Sequence, residues 1–174
     1  MKNNCCLHLA SLAENALSVC EMIRSGKYSD CKKLINSSEE TRNKCLVFIE
    51  KQFITPIDRE DITHITLIMH RLNISLCRLA DYKCRYYPKK DVTANIEPVM
   101  LACKKIRGLF KNGFPKNVED VLWKNEAYIE PTFQNTYNSL SLMTEYTLFE
   151  MIRECYNISA YISDYIIRTV IKNT

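Results

Sequence analysis

Two pairs of glutamates have the spacing that could do chemistry, Glu126 with Glu130 and Glu150 with Glu154. Side chains four residues apart on a helix stack on one face, so each pair sets two carboxylates side by side. Left alone they repel by about 0.2–0.5 kcal/mol, which is easily tolerated. Two readings therefore stay open. Either the pairs belong to a solvated helix face, or they converge on a cation, and all-oxygen ligands would favour Mg, Ca, Mn or Fe over a thiolate-type zinc site.

Catalytic arrangements are harder to find. A di-metal oxidase on a four-helix core needs two Glu-x-x-His pairs. This chain has none, and the nearest approach is Asp61-x-x-His64. His8, His64 and His70 are the only histidines, and none falls in a recognisable nucleophilic constellation. Neither a glycine-rich phosphate loop nor a dinucleotide fingerprint occurs. A non-enzymatic protein is expected.

The nine cysteines are odd in number and irregularly spaced, with Cys5 and Cys6 adjacent and no Cys-x-x-Cys. Cys45, Cys103 and Cys155 fall on apolar stripes, where a free thiol behaves as a small hydrophobe. Structural thiols are expected, not a disulfide frame. The net charge of +4 hides an asymmetry. Residues 83–116 hold nine Lys or Arg against Asp91 and Glu97, whereas residues 117–174 hold four basic and eight acidic side chains. Lys89, Lys90, Lys104, Lys105, Arg107 and Lys111 form the candidate contact for a partner or a membrane surface. No helix-turn-helix spacing accompanies them, so no nucleic acid is expected.

These groups need elements to position them. At 174 residues the chain can bury roughly 70% of its unfolded surface in one domain. Three glycines and five prolines are too few for a sandwich or barrel. No run of about 18 apolar residues suggests a membrane span. Asn4, His8 and Glu14 interrupt the start, making a poor signal peptide and pointing to a cytoplasmic protein.

Apolar residues recur at steps of three and four. They run through Leu9, Leu12, Ala16, Val19 and Ile23, then Ile62, Ile65, Met69, Leu72, Leu76 and Leu79. Ile96, Val99, Cys103, Ile106 and Phe110 continue the pattern, as do Leu148, Met151, Cys155, Ile158, Ile162 and Tyr165. Narrow seams of this kind pack at shallow angles, as in bundles. Residues 29–52 and 116–141 are less regular, the first polar from Ser37 to Lys44 and the second holding Pro131, which should kink or divide it. Breakers at Gly26, Pro56, Tyr86–Asp91, Gly113–Pro115 and Ser139–Thr144 predict six long antiparallel helices in an all-α fold. They divide as two three-helix units, residues 1–87 and 88–174, of a single domain.

The segment between the second and third predicted helices is Phe53-Ile54-Thr55-Pro56-Ile57-Asp58-Arg59-Glu60-Asp61-Ile62. It reads as a helix stop and restart, with Pro56 in the first turn and Thr55 as its cap. Asp58, Glu60 and Asp61 favour the positive end of the helix dipole. The same ten residues resemble the elbow of the PhoU-like proteins that accompany Pit-type phosphate transporters. The ending Thr169-Val170-Ile171-Lys172-Asn173-Thr174 is similar to that family's usual ending.

The resemblance implies a cytoplasmic regulator of inorganic phosphate transport, at the inner face of the membrane. Its partner would be the transporter, and a homo-oligomer is compatible with it. It also implies carboxylate motifs binding divalent or trivalent ions, which map onto Glu126, Glu130, Glu150 and Glu154, each pair ending in Glu where the family has Asp. The first half departs further. Met69-His70-Arg71-Leu72-Asn73 replaces the acidic stretch, leaving Glu39, Glu40 and His70 as a degenerate site. Arg71 would repel a metal there and could pair with a carboxylate. The rival expectation is a helical scaffold or oligomerisation protein with degenerate metal sites and no transport role.

Overall fold

The computed structural model describes residues 4–26, 28, 30–51, 57–111 and 145–173. Five helices occupy them: α1 (Asn4–Ser25), α2 (Cys31–Lys51), α3 (Arg59–Tyr86), α4 (Thr93–Lys111) and α5 (Tyr146–Asn173). Among the described residues there is no strand, and no helix is long and apolar enough to cross a membrane. The expected fifth segment, 116–141 with Glu126, Glu130 and Pro131, lies outside the described residues, as do Thr55 and Pro56.

The repeating seams become the core. All six stripe residues of α3, Ile62, Ile65, Met69, Leu72, Leu76 and Leu79, are buried, as are Ile96, Val99, Cys103, Ile106 and Phe110 of α4. Burying each such side chain contributes about 1.5–3 kcal/mol before entropy is counted. The seam of α5 drifts from the strict 3.5-residue spacing. Ile152 and Ile166 are buried in place of Met151 and Tyr165, which are only half-buried. A straight helix turns every 3.6 residues, so a heptad stripe creeps around it over seven turns.

Helix ends follow local chemistry with one correction. α1 closes at Gly26, whose φ of 70° suits the left-handed position after a helix, and whose N–H donates to the Met22 carbonyl at 2.9 Å. The cap expected at Thr55 falls on Asp58, and α3 starts at Arg59. Ile57 and Ile62, at the N′ and N4 positions of a hydrophobic staple, both enter the core. α4 runs through Gly108 to Lys111, with Phe110 buried.

Contacts between side chains set the directions. Asn15 Nδ2 donates to Ser37 Oγ at 3.3 Å, and Ser38 Oγ meets His70 Nδ1 at 2.9 Å. Thus α1, α2 and α3 follow one another antiparallel, and each packs on the other two. α4 lies against α1, and α5 against α3 and α4. The polar middle of α2 is mostly exposed as expected, but Ser38 turns inward to His70 and is fully buried.

Candidate functional site

α3 and α5 run antiparallel along a surface cleft of about 510 Å3, and two of the four glutamates line it. The pairing reads in order along the two helices. Asp61 meets Tyr165 and Lys172, His64 meets Tyr161, and Arg71 and Ser75 meet Glu154. Because the helix repeats every 3.6 residues, positions 61, 64, 68, 71 and 75 share one face of α3, and 154, 157, 158, 161 and 165 share one face of α5.

Neither glutamate stands alone. Glu150 is ion-paired with Arg153 one turn on, and Arg153 lies over the Phe149 ring at 5.7 Å. Ser75 Oγ donates to Glu154 Oε1 at 3.1 Å, and the Arg71 guanidinium lies 3.8 Å from the same oxygen. The expected pairing of Arg71 with a carboxylate is therefore present. Two arginines among two carboxylates leave the cleft near neutrality and oppose an incoming metal ion. These two glutamates do not, by themselves, fit a metal site. Among the described residues no group of three or more His, Cys, Asp and Glu side chains is arranged to hold one.

Residues Glu39, Glu40 and His70 do not converge. Glu39 pairs with Arg42 at 3.4 Å and Glu40 with Lys44 at 2.6 Å, both along α2. The Lys44 hydrogen bond holds the Glu40 carboxyl below its ordinary range. His70 is buried beneath α2, and burial, helped by Arg42, pushes its imidazole down. A neutral ring bonded to Ser38 is a core contact and leaves Nδ1 no vacancy for an ion.

Asn73 adds the physical reason. Its Nδ2 donates to the Leu12 carbonyl at 3.0 Å and to the Met69 carbonyl at 2.9 Å, with the residue 1% exposed. The last residue of the Met69–Asn73 stretch is thus aimed at α1, and the backbone there requires a donor.

At one end of the cleft sits a latch. Tyr165 OH donates to Asp61 Oδ1 at 2.8 Å, and Lys172 Nζ donates to Asp61 Oδ2 at 3.2 Å and also pairs with Asp58. Asp58, although the N-cap residue, makes no side-chain cap and turns to Lys172 instead. Desolvation and then the Asp61 bond push the Tyr165 phenol up to about 12. The Asp58 and Asp61 bonds hold the Lys172 ammonium above its usual range. His64 packs against Tyr165 in a tilted contact, ring centroids 4.4 Å apart, and its Nε2 lies 3.0 Å from Tyr161 OH. A second cleft of about 400 Å3, lined by Arg59, Glu60, Thr63, His64 and Leu67 with Ile49 and Glu50, lies on the other side of His64. A sequence reading does not join His64, Tyr161, Tyr165 and Lys172 into one site. Their only signals are a histidine one turn after Asp61 and tyrosines four apart.

The basic segment is dispersed. Lys83 is buried, with Nζ on Tyr28 OH at 2.9 Å. Lys90 pairs with Glu145 at 2.8 Å and Arg107 with Glu14 at 2.6 Å. Lys105 is half-buried, and desolvation lowers its ammonium. Lys104 and Lys111 share the exposed face of α4, and Lys89 is exposed in the turn before it. At 1.5 Å per residue, Lys104 to Lys111 covers about 10 Å of α4, whereas Lys89 and Lys90 precede that helix.

No family model matches this chain, and neither does any curated protein.

Proposed function

We propose that this chain is a non-enzymatic, cytoplasmic regulator of inorganic phosphate transport that acts by binding a membrane phosphate transporter or its signalling partner. The observation that carries the reading is the elbow Phe53–Ile62 with its PhoU-like sequence. The latch supports it, because the motif's two aspartates, Asp58 and Asp61, meet Lys172 in the C-terminal stretch that shares the resemblance. In this reading the chain is one domain of two three-helix units, 1–87 and 88–174. The mutual packing of α1, α2 and α3 is what such a first unit requires.

Co-reconstitution of the purified chain with a phosphate transporter of the Pit type tests the proposal. Phosphate uptake that rises or falls at least about twofold with the chain present supports it, and unchanged uptake refutes it. Lys104 and Lys111 offer the exposed cations of α4, so their joint replacement by Glu should weaken association with transporter-bearing vesicles about tenfold or more. Equal binding by wild type and the double variant would remove α4 from the contact.

A second reading, a scaffold or oligomerisation protein whose metal sites have degenerated, is favoured by the arginine pairing of Glu150 and Glu154. It predicts that millimolar Mg2+, Ca2+ or Mn2+ leaves the thermal midpoint unchanged within about 1 °C. A rise of several degrees, lost when Glu126 and Glu150 are both replaced by Gln, would instead place an ion at the four glutamates.

A further inference from the structure

Three helix contacts in this bundle each bring two thiols together: Cys5 with Cys45 between α1 and α2, Cys20 with Cys103 between α1 and α4, and Cys31 with Cys77 between α2 and α3. The first two pairs are sealed in the core. The third is reachable. Cys31 is the first residue of α2 and is partly exposed, while Cys77 is 2% exposed beneath it and its Sγ donates to the Cys31 carbonyl at 3.7 Å. Cys84, exposed two turns further along α3, is the neighbouring thiol on the open side.

We propose that Cys31 and Cys77 form a reversible disulfide that ties the start of α2 to the middle of α3. The co-reactant is a small-molecule disulfide such as oxidised glutathione. Cys31, deprotonated, attacks one sulfur of the oxidant. That S–S bond breaks, and the first glutathione leaves as a thiolate that takes up the proton Cys31 released. Cys77 then loses its proton and attacks Cys31 Sγ, expelling the second glutathione, which is protonated in turn. Two protein thiols are oxidised, and one disulfide is reduced to two glutathiones. Excess reduced glutathione runs both steps backwards.

The helix N-terminus and the neighbouring Cys77 thiol favour a Cys31 thiolate, but burial outweighs them, pushing Cys31 up and Cys77 up to about 12. The reaction is therefore slow at neutral pH and should accelerate about tenfold between pH 7 and 8, following the thiolate fraction. A thiol in contact with a second one is captured by it faster than by solution glutathione, so the mixed disulfide should not accumulate.

The test uses the full native chain incubated with millimolar oxidised glutathione, alkylated and digested. Trypsin places Cys31, Cys77 and Cys84 on three different peptides. The expected product is a Cys31–Cys77 linkage in wild type and in Cys84→Ser, with Cys5, Cys20, Cys45 and Cys103 still alkylated as free thiols. Cys31→Ser removes the linkage, and the oxidised wild type melts several degrees higher than the reduced. A Cys31–Cys84 linkage, stable glutathionylation of Cys31, or no linkage in the native wild type would each overturn the proposal, and none of these depends on a variant folding.

Discussion

Asn73→Asp should be among the most damaging single-atom exchanges in this protein, costing about 5 kcal/mol at pH 7. The amide donates two hydrogens to the carbonyls of Leu12 and Met69 in a site that is 1% exposed. Its Oδ1 has no hydrogen-bond partner among the described residues. A carboxylate there would face two carbonyl oxygens without solvent, so its folded pKa rises by about 3 units or more, at 1.36 kcal/mol each. The sign follows from proton binding. A raised folded pKa means the native variant holds its proton more tightly than the unfolded chain. The penalty is then smallest below pH 4 and grows as pH climbs towards the folded value. Near pH 4 about 1 kcal/mol should remain, for the one hydrogen bond that a protonated acid cannot make. Urea denaturation of the variant at pH 4 and pH 7 measures both numbers. A variant as stable as wild type at pH 7 would show that Asn73 is not held as described, and would reopen the position to an ion.

The latch supplies the second large effect. Asp61→Ala should cost about 2–3 kcal/mol, because Tyr165 and Lys172 both lose a charged acceptor that is largely out of solvent. Asp61→Asn should cost about 1 kcal/mol, since an amide oxygen still accepts from Tyr165. Hydrogen exchange should then accelerate in the last turns of α5 before it does in the α3 core. Alkali provides an independent readout. The Tyr165 phenol is raised to about 12 in the fold, so the stability it contributes is complete below pH 10 and is lost as pH rises from about 10 to 12. Tyr165→Phe should flatten that stretch of the stability curve. If it does not, the Tyr165 phenol is not held above its ordinary range in the fold.

Much of this architecture was legible beforehand, and for a simple reason. Spacing of three and four is a property of neighbouring residues, so Ile62, Ile65, Met69, Leu72, Leu76 and Leu79 announce a helix and its buried face together. Glycine likewise reports a local angle, and Gly26 ends α1 as it should. The elbow was legible as an interruption, but not its detail. Asp58 and Asp61 look like dipole-satisfying residues at a helix start, and only the arrival of Lys172 and Tyr165, more than a hundred positions later, makes them one side of a latch.

The glutamates mark the same boundary more sharply. Two carboxylates four apart are equally consistent with an ion, with solvent or with an arginine, since the pair alone does not specify what opposes it. The chain by itself determined an all-helical fold, its apolar seams and its elbow, because those depend on contacts within a few residues. What opposes Glu154, which neighbour Asn73 serves, and which thiols touch were decided by tertiary packing. Each depends on a second helix whose rotation and register emerge only when the apolar faces close against one another.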